Sequence, residues 1–257
     1  MKEINADNVS RRNFVKGAAV GAATISVAGV LSACAGGAPS SETPDSSDAA
    51  PTTENVLSPT TAPTAETASN FNVMPESTTK VGSTYENLMS AITGETGATT
   101  KYTAFSAAAE KDGFPQLARL FACTADAEKI HIELEYALAV GMNPDTKKPE
   151  APEVEAHEAD INLIFGANGE IYETSDMYPA FIKVAQEEGE DAAVEVFTRA
   201  KLAEAYHAER YLDAYNNIDT PDDDKFYLCP TCGYIHKGEA FTACPICLVK
   251  KDAFTAY

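Results

Sequence analysis

Glu128-Lys129-Ile130-His131 and Glu204-Ala205-Tyr206-His207 stand 76 residues apart in a chain of 257. Helical residues three apart share a face, so each Glu-x-x-His sets a carboxylate beside an imidazole. One such pair is ordinary on a solvated helix. Two at matched places carry more, because the chain has only four histidines. The other two, His157 and His236, read as surface or loop residues.

Working outward, the two pairs belong to an internal repeat. Asn87-Leu88 recurs as Asn162-Leu163 and Gly94-Glu95 as Gly169-Glu170, each 75 residues on. From Tyr102 and Tyr178 the offset is 76, and it stays so for Phe105 and Phe181, Gly113 and Gly189, and Phe121 and Phe197. The second copy therefore carries one extra residue between Glu170 and Tyr178. A helix absorbs one residue most easily as a π-bulge, a feature frequent at functional sites, and Glu173 falls in that window. Helical stretches read at about 84–111, 115–140, 160–187 and 190–216, with Gly113-Phe114-Pro115 and Gly189 as breaks. Pro144, Pro149 and Pro152 mark 142–157 as a crossover. Two helix–turn–helix copies joined this way predict an all-α, ferritin-like four-helix bundle with one long crossover.

Glu95 and Glu170 hold equivalent repeat positions on the two remaining helices. Carboxylates inside a bundle repel, shift their pKa or take up cations. Two Glu-x-x-His pairs plus one Glu from each other helix form the carboxylate-bridged di-metal pattern. One imidazole per metal in an oxygen-rich set suits iron or manganese. Cys123, five residues before Glu128, reads as a small buried core residue. The acidic runs Glu187-Glu188 and Asp222-Asp223-Asp224 read as solvated.

The tail carries a second centre. Cys229, Cys232, Cys244 and Cys247 give Cys-x2-Cys-x11-Cys-x2-Cys within the last 32 residues. So small a module rarely folds without a metal or crosslinks. Four thiolates at this spacing point to tetrahedral iron or zinc, with two disulfides as the alternative in an exported chain.

Residues 1–33 read as an address. Arg11-Arg12-Asn13-Phe14 precedes a soft apolar stretch, Gly17 to Ala33, too short and too weakly apolar for a permanent span. The order resembles a twin-arginine export signal. Leu31-Ser32-Ala33-Cys34 resembles a lipobox, which implies cleavage before Cys34 and its lipidation. An uncleaved anchor is the alternative. Residues 34–80 hold six of the 14 prolines and are rich in Ala, Ser and Thr, the composition of a disordered tether. The bundle is expected at 81–217, a linker at 218–225 and the metal module at 226–257. With 19 Lys+Arg against 39 Asp+Glu, the net charge of −20 argues against nucleic acid or an anionic membrane surface as partner. The membrane would be met through lipid alone.

Taken together, Glu86-Asn87-Leu88, Gly94-Glu95, Glu128-Lys-Ile-His131, Gly169-Glu170-Ile-Tyr-Glu173, Met177-Tyr178-Pro179, Glu204-Ala-Tyr-His207-Ala-Glu-Arg-Tyr211 and the four-cysteine tail resemble the rubrerythrins over about Ser83 to Phe254. The resemblance implies a ferritin-like di-iron domain followed by a rubredoxin-like domain. It implies Glu95, Glu128, His131, Glu170, Glu173, Glu204 and His207 as ligands of two irons, Glu173 being the extra carboxylate set off by the insertion. It implies Tyr102 and Tyr178 as tyrosines that hydrogen-bond ligating carboxylates, where plain aromatic packing is the other reading. It implies Cys229, Cys232, Cys244 and Cys247 as a mononuclear Fe(Cys)4 centre, with zinc possible.

The implied activity is a peroxidase that reduces hydrogen peroxide to water. Electrons would come from an unidentified donor through the Fe(Cys)4 iron, and Glu173 and His131 would exchange between oxidised and reduced states. The implied assembly is a homodimer, the rubredoxin-like unit of one chain beside the iron pair of the other. A ferroxidase using oxygen, or an electron-transfer or redox-sensing module, are the other readings. Three features depart from the pattern. Leu248 stands where the second knuckle usually has Gly, Gly97 interrupts the first helix, and the export signal would remove the chain from cytoplasmic electron donors.

Overall fold

The computed structural model describes Ser77 and residues 79–257. The export signal, Cys34 and nearly all of the tether lie outside the described residues. Helix α1 spans Thr84–Lys111 and α2 Pro115–Met142. The second copy comprises α3, Ala159–Tyr172, a π-helical turn Glu173–Met177, α4, Tyr178–Glu188, and α5, Asp191–Asn216. The π turn lies where the repeat offset changes from 75 to 76. The insertion widens one turn and leaves the helix axis unbroken.

The caps follow from sequence. Ser83 and Glu86 form a reciprocal capping box at α1. Pro115 opens α2, where its missing N–H costs nothing. Gly113 and Gly189 turn the chain at φ +81° and +76°, values that glycine adopts without strain. The repeated Asn-Leu motif has a structural task in each copy. Asn87 accepts from the Gly82 N–H at 2.8 Å and donates to the Gly82 carbonyl at 3.2 Å. Asn162 does the same to His157, at 2.9 and 2.8 Å. Each buried amide pins the chain entering its helix five residues upstream.

Two apolar clusters fill the bundle. One gathers Tyr102, Phe105, Leu120, Phe121, Leu163 and Tyr211. The other gathers Leu88, Ile92, Ile132, Tyr178, Phe181 and Phe197. On every long helical segment the expected ligand positions fall between the two clusters, so a polar layer divides the core.

The tail forms a three-stranded antiparallel sheet, ordered β2-β1-β3, from β1, Phe226–Leu228, β2, Ile235–Lys237, and β3, Thr255–Ala256. It packs on the bundle of its own chain: Phe226, Leu228 and Ile235 join the cluster of Tyr102 and Phe121. Lys237 bridges Asp213 of α5 at 2.8 Å and Asp222 of the linker at 2.7 Å. In the single chain the module thus meets its own bundle, where the resemblance implies the bundle of a second chain.

The two knuckles match in backbone. Gly233 N–H donates to the Cys229 carbonyl at 3.2 Å and Leu248 N–H to the Cys244 carbonyl at 3.1 Å. Leu248 takes φ +64°, the left-handed conformation that Gly233 takes at +74°. Its side chain is 76% exposed and packs on little. A leucine there costs about 1 kcal/mol in backbone strain and leaves the turn intact. Leu248→Gly is expected to raise the unfolding midpoint of the metal-loaded tail, read by loss of its thiolate absorption on heating. A lowered midpoint would show that the side chain contributes packing.

Candidate metal centre

Two groups of buried ligand atoms occupy the polar layer. Glu95, Glu128, His131 and Glu204 form one, and Glu128, Glu170, Glu204 and His207 the other, with the atoms of each group within 4.8 Å of one another. Glu128 and Glu204 belong to both. Glu204 presents Oε1 to His131 Nδ1 at 2.7 Å and Oε2 to His207 Nδ1 at 2.7 Å. Glu128 presents Oε2 to His131 at 3.1 Å and Oε1 to His207 at 3.6 Å. Two carboxylates, each with an oxygen toward either side, could each serve both cations. Glu95 and Glu170 are then terminal, one per half.

The arrangement fits two cations. Glu95 Oε2, both oxygens of Glu128 and of Glu204, Glu170 Oε2, and Nδ1 of both histidines are buried without a properly angled hydrogen bond. Orphaned polar atoms in such number are costly unless a metal takes their lone pairs. Each histidine is oriented from outside. His131 Nε2 lies 3.1 Å from the Cys232 carbonyl and His207 Nε2 2.8 Å from the Gly233 carbonyl. A carbonyl accepts only, so each Nε2 carries the proton and each Nδ1 keeps its lone pair for metal. The Tyr102 hydroxyl bonds Glu170, and the Tyr178 hydroxyl bonds Glu95. Both tyrosines thus hold terminal carboxylates while their rings pack in the core.

The charges in this layer govern one another. Burial pushes Glu95 up, and the neighbouring Glu128 pushes it further. Burial also raises Glu204, to about 8, against the opposing pull of His131. Burial would raise Glu128 as well, but His207 and His131 outweigh it and hold it at about 2. Both histidines are held well above their usual value: burial opposes this, and Glu204 overcomes it.

Six of the seven expected bundle ligands converge. Glu173 is buried in the π turn yet stands outside both groups. Burial, then Glu95 and Glu170, push its carboxyl well above the usual range. A Cβ built on Gly94 would lie 4.0 Å from Glu173 Oε1, which places the carboxyl beside the Glu95 turn of α1. Glu135, fully buried on α2, was not among the expected residues, and its Oε1 lies 2.9 Å from the Tyr178 hydroxyl. Its signal was the seven-residue step from Glu128, which keeps it on the same face. The repeat hid it, because its mate is Tyr211. Cys123 is buried as expected and His157 is exposed, whereas His236 is half-buried against the Tyr234 hydroxyl.

In the tail, Cys229 Sγ lies 3.4 Å from Cys247 Sγ and Cys232 Sγ 3.5 Å from Cys244 Sγ, with all four thiols free. These separations approach the roughly 3.8 Å edge of a tetrahedron with metal–sulfur bonds of about 2.3 Å. Backbone N–H groups of Ile246 and Cys247 donate to Cys244 Sγ at 3.4 Å each. The four-thiolate reading fits and the disulfide alternative does not.

The sequence matches the family description Rubrerythrin over residues 86–215 and the rubrerythrin rubredoxin-like domain over 227–255. The chain belongs to the rubrerythrin family. It is similar to nigerythrin of Nitratidesulfovibrio vulgaris, 66% identical over 190 residues, covering 74% of this chain and 94% of that protein. Rubrerythrin of Clostridium perfringens is 35% identical over 187 residues, covering 68% and 94%. The solved structure of fully reduced, all-ferrous nigerythrin is 66% identical, covers 76% of this chain and 96% of its own, and superposes with a TM-score of 0.72. The bundle of this rubrerythrin is therefore a di-iron domain, and its tail a four-cysteine rubredoxin-like metal site.

Two outcomes follow from this geometry. Between pH 4.5 and about 8, folded Glu204 keeps a proton that the unfolded chain has lost. Folding then takes up a proton, so stability falls as pH rises. The raised histidines act in the same sense above 6.5. The metal-free chain should therefore melt at progressively lower temperature from pH 5 to pH 8, while iron, by replacing those protons, flattens the trend. A rise in the metal-free midpoint would contradict the raised carboxyls. Separately, a Cβ on Gly233 would lie 2.4 Å from His131 Nε2. Gly233→Ala should lift the module from the bundle and speed proteolysis within 217–225, and an unchanged cleavage rate would show that the docking is softer than drawn.

Proposed function

We propose that this rubrerythrin reduces hydrogen peroxide to water at the buried iron pair and is re-reduced through the iron of its tail. The observation that carries the reading is the pair of hydrogen bonds from ligand histidines to the Cys232 and Gly233 carbonyls. They join the sulfur-ligated site to both halves of the iron pair within one chain. From Cys232 Sγ the path to His131 runs through covalent bonds and a single hydrogen bond. A bundle that only stored or oxidised iron would have no use for so direct a connection.

When bound, two ferrous ions supply two electrons together, the number that H2O2 + 2H+ needs to become two waters. The protein's own groups set the rest. Glu128 and Glu204, which belong to both ligand groups, would hold both ions. Tyr102 and Tyr178 fix the terminal carboxylates. Glu173, buried and with its carboxyl pushed above the usual range by burial and then by Glu95 and Glu170, would be the carboxylate held back for the oxidised pair, and His131 faces the site. The two apolar clusters keep bulk water from the layer.

The proposal includes the setting. The chain is exported through its twin-arginine signal and tied to the outer face of the membrane by lipid on Cys34. Support comes from Arg11-Arg12 and Leu31-Ser32-Ala33-Cys34. No helix among the described residues is long and apolar enough to cross a membrane. The electron donor would then be an extracytoplasmic one. A homodimer, which the family resemblance implies, is part of the proposal, although the contact between the two metal sites is already complete in cis.

Anaerobically purified protein lacking residues 1–34 should carry iron in the bundle and in the tail. It should show a red thiolate-to-iron band that bleaches on reduction and returns within seconds of adding peroxide. Reduced, fully loaded protein that peroxide leaves unoxidised would sink the reading. Faster turnover with oxygen than with peroxide would turn it into the ferroxidase.

A further inference from the structure

The two halves of the iron site differ in one hydrogen bond that the repeat does not require. Glu135 lies four residues after His131 and is fully buried. The Tyr178 hydroxyl sits between it and Glu95, in reach of both, with Glu135 Oε1 at 2.9 Å. A tyrosine hydroxyl has one hydrogen to give and lone pairs to accept with. It cannot donate to two carboxylates. If both were ionised, one would face the hydroxyl's oxygen unpaired and buried, a costly arrangement.

Glu95 belongs to a metal-ligand group, so it takes the Tyr178 hydrogen as an anion. Glu135 belongs to none, so it keeps its own proton and donates to the Tyr178 oxygen. Around Glu135 stand Glu95 of α1, His131 of its own helix, Tyr178 of α4 and Glu204 of α5. Burial, with Glu95 and Glu204 beside it, disfavours a further anion there against the opposing pull of His131 and the Tyr178 hydroxyl. At the repeat mate the position is filled by Tyr211, whose ring packs on those of Tyr102 and Phe121, both centroids at 5.4 Å.

We propose that Glu135 is a positioning residue, a neutral donor that locks the Tyr178 hydroxyl onto Glu95 and so tightens iron binding in the Glu95–His131 half alone. The chain Glu135 to Tyr178 to Glu95 leaves that hydroxyl one orientation. In the other half Tyr102 holds Glu170, and the position matching Glu135 is the aromatic Tyr211. The inference rests on the di-iron site and not on peroxide being its oxidant.

The test uses the full folded chain after removal of residues 1–34, titrated anaerobically with ferrous iron. Glu135→Gln retains a neutral donor, and Glu135→Met keeps the length of the side chain without one. Glu135→Met should weaken one of the two bundle sites by roughly tenfold and leave the other unchanged, the scale on which groups behind a metal ligand act. Glu135→Gln should stay within about twofold of the parent. Tyr178→Phe should reproduce the loss, and the double variant Glu135→Met/Tyr178→Phe should lose no more than either single one, as expected for a shared interaction. Circular dichroism of each variant confirms the bundle. Should Glu135→Met not fold, the contrast between Glu135→Gln and Tyr178→Phe decides alone. Equal binding in the parent and Glu135→Met overturns the proposal. So does a Glu135→Gln as weak as Glu135→Met or Tyr178→Phe, which would make the charge of Glu135 the active feature. Additive losses in the double variant overturn it too. Peroxide enters none of these measurements, so they stand or fall apart from the peroxidase reading.

Discussion

Glu95, Glu128, Glu170 and Glu204 meet in a layer from which water is excluded, and the rest of the bundle is arranged around that fact. Each buried anion without compensation costs several kcal/mol even after relaxation. Two divalent cations cancel four carboxylates, and neutral imidazoles add no charge. The layer is therefore stable when filled and strained when empty. Protons substitute imperfectly, as the raised Glu95 and Glu204 and the charged histidines record. The apolar clusters on either side supply the packing that holds the helices while this exchange takes place.

The same constraint explains how the tail is seated. Each histidine needs its outer nitrogen satisfied if its inner one is to face metal. The carbonyls of Cys232 and Gly233 perform that task for both rings at once. The close approach is possible because residue 233 has no side chain. At the second knuckle the same backbone turn faces solvent, and there a leucine is tolerated. The glycine that matters is the one that meets the bundle, and the two knuckles are equivalent in conformation but not in surroundings.

What could be read from sequence follows the same division. Ligands were legible because the metal pair demands them twice, at Glu128 and Glu204, His131 and His207, and Glu95 and Glu170. The π turn was legible because an inserted residue shifts the repeat offset and leaves a countable trace. Glu135 was not, since its value depends on breaking the repeat, and a lone glutamate on a helix looks solvated. The seating of the tail on its own bundle was not legible either. Cysteine spacing specifies a metal and is silent about which surface the finished knuckle will meet.

Where the repeat is kept and where it is broken then separates two kinds of demand. Asn87 and Asn162 pin their helices alike, and Tyr102 and Tyr178 hold their carboxylates alike, because both halves must be built. The exceptions are two carboxyls. Glu135 is hydrogen-bonded to Tyr178, and Glu173 sits beside the Glu95 turn. The opposite half has Tyr211 in the place of Glu135, and Lys101 over the Tyr102 ring at 4.6 Å. Around Tyr178 and the π turn stand two extra buried carboxyls, and beside Tyr102 an aromatic wall and a cation. Both breaks in the repeat add a carboxyl without costing the layer a ligand, Glu135 behind Tyr178 and Glu173 in the inserted turn.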